Sequence, residues 1–168
     1  MSENSYQLID IRMEDWEPIR QWRNAQLDIL RQRFPIKESQ QVEYAKLMQQ
    51  CKHNLYSFLC NGQLIGYGGF AKIDIENRRA ETSFLLEPER TKNKPLYHKE
   101  LIEFHKLLRY ATQEMGLHRW YAETFEHRIW HIHCLEDFGF QYEGRLHDHA
   151  IKNGRYVDVI VHGKVWNE

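Results

Sequence analysis

Leu135-Glu136-Asp137-Phe138-Gly139-Phe140, followed by Glu143-Gly144-Arg145, is a stretch in which a helix must stop and a strand begin within a few residues. Gly139 supplies the stop. A helix C-terminus favours a left-handed residue, which glycine adopts at little cost, and the apolar Phe140 just beyond can fold back on the last turn. Strand chemistry follows: Tyr142 to Ile151 and Arg155 to Trp166 are two β-compatible runs joined at Asn153-Gly154, the strongest short-range hairpin signal. The stretch therefore predicts a helix from Arg128 to Phe138 that feeds a closing hairpin.

Upstream, the period of the apolar residues changes from one element to the next. Tyr6 to Arg12 has the length and branched residues of a first strand. From Met13 onward Trp16, Ile19 and Trp22, with Leu27, Leu30 and Phe34 further on, recur at helical spacing until Pro35 breaks the run; Glu14 and Asp15 suit the helix start. A second helix is predicted over Glu38 to Cys51, with Val42, Ala45 and Met48 on one face. Leu55 to Cys60 and Gln63 to Ile73 form a hairpin around Asn61-Gly62, and Arg79 to Leu86 is a strand ending before Pro88. The longest helix lies between Pro95 and Gly116, with Leu101, Phe104, Leu108, Ala111 and Met115 as its apolar stripe. Trp120 to Phe125 is then a short buried strand. The order implies one parallel crossover, Leu86 to Phe125, within a mostly antiparallel sheet.

Composition bounds the function classes. The 168 residues are 42% apolar and 13% aromatic, enough for one globular domain with a full core, and no repeat or linker divides the chain. Lys plus Arg total 23 against 24 for Asp plus Glu, which gives no basic field for nucleic acid and no cationic membrane face. The N-terminus lacks a signal pattern and no apolar run approaches the ~20 residues that span a bilayer, so a cytoplasmic location is expected. Cys51, Cys60 and Cys134 are odd in number and scattered, which predicts reduced thiols. Ten histidines raise a metal hypothesis. His131 and His133 diverge on a helix, whereas His147 and His149 share a strand face, yet Asp148 points away and no cysteine stands at a standard spacing; no metal is expected.

The element order, with particular residues, resembles the GNAT superfamily of acyl-CoA-dependent N-acyltransferases. The likeness rests on four stretches: Trp22-Arg23-Asn24 with Leu30-Arg31-Gln32; Glu81-Thr82-Ser83-Phe84-Leu85-Leu86-Glu87-Pro88; Gly116-Leu117-His118-Arg119 leading to Thr124; and Leu135 through Gly144 with Gly154-Arg155-Tyr156-Val157-Asp158. More narrowly, it is similar to the branch of ribosomal-protein alanine, spermidine and nucleotide-amino-sugar acetyltransferases, the last looking closest by eye. The resemblance implies an α/β (α+β) GNAT fold over residues 1–168, a mixed, mostly antiparallel twisted sheet of about seven strands with four or so helices.

The same resemblance implies that acetyl-CoA lies where the strands ending near Leu86 and Phe125 splay apart. Backbone groups of Phe84, Leu85 and Leu86 would pair with the pantetheine arm, and one amide would stabilise the oxyanion. Glu81 matches a carboxylate that some members use as base; its other reading is a salt bridge with Arg79 or Arg119. The phosphate loop departs from the family pattern: in Arg90-Thr91-Lys92-Asn93-Lys94-Pro95, Arg90 fits, but Asn93 and Pro95 stand where relatives have glycine or alanine. Pro95 donates no amide, so Lys92, Lys94 and Lys99 would supply side-chain charge, or the site has decayed. Leu135 and Glu136 stand where many relatives carry an acidic tyrosine. His131 is then the expected proton donor, with Tyr97, Cys134 and Tyr142 as further candidates, and Arg128 faces the cofactor arm.

Trp22, Arg23, Arg31, Gln32 and Phe34 occupy the stretch that shapes the acceptor pocket in relatives; Arg with aromatics suits a sugar phosphate, while Trp22 on a helical stripe also reads as core. The expected activity is acetyl transfer to a small-molecule primary amine, preferably a nucleotide-linked amino sugar, by a monomer or homodimer. Alternatives are a protein N-terminus, a polyamine, or a non-catalytic module of the same fold.

Overall fold

The computed structural model describes residues 4–51 and 54–167. Its strands are β1 (Tyr6–Asp10), β2 (Leu55–Cys60), β3 (Gln63–Asp74), β4 (Arg79–Leu86), β5 (Arg119–Phe125), β6 (Gln141–Lys152) and β7 (Arg155–Val165). They form one sheet in the order β1-β2-β3-β4-β5-β7-β6, antiparallel except for β4 against β5. The helices are α1 (Trp16–Ala25), α2 (Glu38–Cys51), a short α3 (Pro88–Thr91), α4 (Lys94–Ala111) and α5 (Ile129–Phe138).

Local chemistry sets the joints. Gly139 sits at φ 102, and the Phe140 and Gly139 amides donate back to Leu135 and Glu136 O at 3.0 and 2.8 Å, closing α5 as its sequence predicts. Asn61-Gly62 and Asn153-Gly154 all have positive φ, the two-residue turn that matches strand twist. The sheet is packed on both faces, so successive residues of β4 enter different cores. Phe84 and Leu86 join Phe58, Phe104, Trp120 and Leu135 under α4 and α5, whereas Leu85 joins Trp16, Ile19, Ala45 and Tyr67 under α1 and α2. Each such burial stabilises by roughly 1.5–3 kcal/mol.

Three expectations need correction or restriction. The helix predicted to continue through Leu27, Leu30 and Phe34 ends at Ala25, because the next residue, Gln26, leaves helical geometry (φ −128) and buries its amide against Leu86 O at 2.8 Å. That contact is tertiary, so the apolar period does not announce it, and Phe34 is left 77% exposed. On α2, Ala45 is buried and Val42 exposed; Met48 and Cys51 lie outside the described side chains. The alternation expected for His147 and His149 is interrupted by a register shift between Leu146 and Ala150. Asp148 there has φ 50, and His147 Nδ1 sits 3.1 Å from Asp158.

β4 and β5 pair only at Arg79–Arg119, Ala80–Trp120 and Glu81–Tyr121. Beyond Glu81, β4 stays with β3 and β5 stays with β7, so the sheet opens into a fork.

Candidate active site at the strand fork

The fork holds a cavity of about 450 Å³ whose walls include Arg23, Arg31, Glu81, Phe84, Glu123 and His131. Glu81 occupies the last paired position and is 4% exposed. A carboxylate so buried needs cations, and it has two. Arg31 Nη2 donates to Oε1, and Lys72 Nζ stands 3.0 Å from Oε2. The same Arg31 Nη2 donates to Glu123 Oε2 at 2.8 Å, bridging β4 and β5 across the opening. Neither partner expected from the sequence is used: Arg79 pairs with Asp74 and Arg119 with Glu143. Lys72 faces Glu81 because a register shift between Phe70 and Lys72 brings it opposite, which strand period alone does not reveal. Glu123 lies two residues beyond Tyr121 on the same face of β5, just past the last paired position.

The open edge of β4 is defined by alternation. The Glu87 amide donates to Ile65 O at 2.8 Å, toward β3, so the main-chain groups of Phe84 and Leu86 turn to the fork and those of Leu85 turn to β3. Two of the three expected residues therefore offer backbone groups to the cleft, and Leu86 O already accepts from Gln26.

At the back of the fork, Tyr97 of α4 meets His131 of α5, with OH to Nδ1 at 2.7 Å, and Arg128 Nη2 lies 3.4 Å from the same hydroxyl. A guanidinium only donates. Tyr97 thus accepts from Arg128 and gives its proton to Nδ1, which assigns the neutral ring's own proton to Nε2. Burial raises the Tyr97 pKa to about 12. Burial, then the Arg128 charge, holds His131 well below 6.5, so the ring is neutral at neutral pH rather than poised near it. The other candidate donors are less suited. Cys134 is buried with its thiol raised to about 11, and Tyr142 lies exposed on β6 against His162.

A second cavity, about 600 Å³, adjoins the first at Arg128 and His131 and runs to the start of α4 past Lys92, Lys94, Tyr97 and Trp130. The amides there are nearly spent. Pro95 has none, the Leu96 amide is capped by Asn93 Oδ1 at 3.1 Å, and the Tyr97 amide donates to Asn93 O at 2.9 Å, which leaves that of Lys94. Asn93 is extended at φ −93, so it serves as an N-cap and not as a stand-in for a left-handed glycine. Arg90, expected on phosphate, donates instead to the fully buried Glu100 at 3.0 Å. Lys92 reaches only the exposed Glu89, and Lys94 lies over the Trp130 ring at 5.5 Å.

Of the acceptor candidates, Arg23, Arg31 and Gln32 line the fork cavity, and Arg23 Nε donates to Gln32 Oε1 at 3.0 Å. Trp22 instead packs on the core under α1, and Phe34 borders a neighbouring cavity of about 400 Å³. Tyr44, unmarked in the sequence, lines both cavities. Among the described residues no group of three or more His, Cys, Asp or Glu is placed to hold a metal ion.

A family model described as acetyltransferase (GNAT) domain matches residues 8–161. No curated protein matches the chain significantly. Among solved structures, a spermidine N-acetyltransferase from Vibrio cholerae, in complex with CoA and spermine, superposes with TM-score 0.76 at 21% identity, covering 95% of each chain. A ribosomal-protein-alanine N-acetyltransferase from Brucella melitensis gives 0.77 at 15% identity, covering 95% of this chain and 99% of the other. A ribosomal L7/L12 α-N-protein acetyltransferase in complex with coenzyme A gives 0.78 at 17%, covering 96% and 94%. At these identities the likeness is one of fold, and it is the family model, covering nearly the whole sequence, that decides membership: the chain belongs to the GNAT acetyltransferase family.

Proposed function

We propose that the chain transfers the acetyl group of acetyl-CoA to a primary amine by direct attack at the β4–β5 fork. The observation that carries this reading is a buried, ion-paired Glu81 beside an open strand edge, in a cavity joined to a second one at Arg128 and His131. Acetyl-CoA supplies an activated thioester. Phe84 and Leu86 hold its arm as an added strand, the Leu86 carbonyl exchanging Gln26 for it, and a freed amide donates to the oxyanion. Lys92, Lys94 and Arg128 hold its phosphates. Glu81 takes the proton of the incoming ammonium, directly or through water, so that the neutral amine forms the C–N bond. As the C–S bond breaks, the attacking nitrogen gives up its second proton and the departing thiolate takes one, so that amide and thiol both leave neutral, the Tyr97–His131 pair or water carrying the proton between them.

For the acceptor we favour a nucleotide-linked amino sugar of surface polysaccharide or glycan biosynthesis, a cytoplasmic substrate. Around the fork Arg23, Arg31, Lys72 and Arg128 outnumber Glu81 and Glu123, which suits an amine that brings negative charge with it. A polyamine, such as the spermine bound by the Vibrio cholerae structure, calls for a net acidic lining, whereas both carboxylates here are already paired with Arg31. Among the described residues no helix is long and apolar enough to cross a membrane.

Calorimetric titration with acetyl-CoA, followed by thiol-release assays on nucleotide amino sugars, polyamines and peptide N-termini, tests the reading. Binding and release with the sugars are expected. No binding at millimolar acetyl-CoA would leave only a non-catalytic module, and release confined to peptides or polyamines would remove the sugar assignment.

A further inference from the structure

We propose that Lys152, at the end of β6, is a positioning residue that fixes the chain on both sides of Arg31 and so holds that guanidinium across Glu81 and Glu123. The inference rests on reading the fork as the place of amine attack. Residues 26–36 follow α1 without a strand or a further helix, so their carbonyls need donors from elsewhere. Lys152 provides them. Its ammonium has three N–H groups and meets three carbonyls: Leu27 O at 2.6 Å, Gln32 O at 3.3 Å, and Leu30 O. Leu30 and Gln32 are the immediate neighbours of Arg31. Both flanking carbonyls are thus tied to the hairpin while the Arg31 guanidinium reaches Glu81 and Glu123 in the fork.

The hairpin is built to deliver this group. The Asn153-Gly154 turn, both residues at positive φ, pairs Lys152 with Arg155 and ends β6 there. The side chain is half-buried, with its ammonium 5.2 Å from the Phe125 ring centre. Desolvation lowers its pKa, a cost that a solvated surface lysine does not bear.

The test compares Lys152→Met, Lys152→Arg, Arg31→Gln and the Arg31→Gln/Lys152→Met double variant. Lys152→Met is expected to lower kcat/KM for the amine about tenfold while acetyl-CoA affinity stays within about twofold, and Lys152→Arg to restore most of the loss. The double variant should be no slower than Arg31→Gln alone, since the lysine acts through the arginine. An unchanged Lys152→Met, or losses that multiply, would overturn the assignment. Hydrogen exchange over residues 26–33 of the free protein should also rise about tenfold in Lys152→Met and not in Lys152→Arg, and an unchanged rate overturns it equally. This arm needs no substrate. A wild-type chain that acetylates no amine would therefore sink the functional reading while exchange still decides the role of Lys152. Lys152→Gln, with two N–H groups left, serves if Lys152→Met does not fold, with an intermediate effect expected.

Discussion

The fork and the start of α4 line two adjoining cavities but are organised by opposite means. At the fork, one buried carboxylate is held by shared charge: Arg31 serves Glu81 and Glu123 together, Lys72 completes Glu81, and Lys152 meets the carbonyls on either side of Arg31. At the start of α4, Lys92 is exposed and singly paired, Lys94 lies over Trp130, and the main-chain amides other than that of Lys94 are capped, back-bonded or missing. A buried carboxylate that loses its partner costs several kcal/mol, whereas an exposed lysine contributes about 1 kcal/mol or less. The difference teaches where this chain can tolerate change. The fork is determined by its pairs, and the start of α4 has room to drift.

Substitutions should therefore fall in a descending series from one end to the other. Glu81→Gln should lower kcat about 10³-fold with acetyl-CoA affinity unchanged, measured by thiol release beside calorimetry; unchanged turnover would remove Glu81 as the base. The buried floor of the fork should be sensitive to acid. His105 lines that cavity, its ring donates from Nδ1 to Leu101 O at 2.8 Å, and burial lowers its pKa to about 4 from 6.5. Below 6.5 the unfolded chain binds a proton that the folded chain refuses. Stability from this group is full above that value and is lost as pH falls toward 4, by about 3 kcal/mol. His105→Phe, which keeps an aromatic ring, should flatten that part of the pH dependence of the denaturation midpoint.

The start of α4 should respond more mildly. Lys92→Gln with Lys94→Gln should weaken acetyl-CoA binding about tenfold and reduce its salt dependence, as expected for screened contacts. Pro95→Ala restores an amide to the first turn of α4 and should tighten binding a few-fold, the smallest effect of the series. A larger loss from the lysines than from Glu81→Gln would break the contrast between the two ends.

Much of the framework was legible because it is locally encoded. Gly139, Asn61-Gly62 and Asn153-Gly154 each favour left-handed backbone; these turns with branched residues placed the strands and the end of α5, and apolar periods placed α2 and α4. The site was legible in part. Glu81, Arg31 and Gln32 were singled out and come together, whereas Trp22 and Phe34 stand apart from the fork. Lys72, Glu123 and Tyr44 carry no local mark, since what places each of them is a register shift, a divergence of strands or a helix packed across the sheet.

By itself the sequence determined the order of elements, the turns between them and the missing N–H at Pro95 in the first turn of α4, because turn chemistry, apolar period and a proline ring act within a few residues. Only the tertiary structure decided that α1 stops at Ala25 and that Arg31 lies across Glu81 and Glu123 with Lys152 behind it. Those outcomes depend on where buried carbonyls and carboxylates find donors up to 125 positions away, and such satisfaction is a property of the packed chain rather than of any segment.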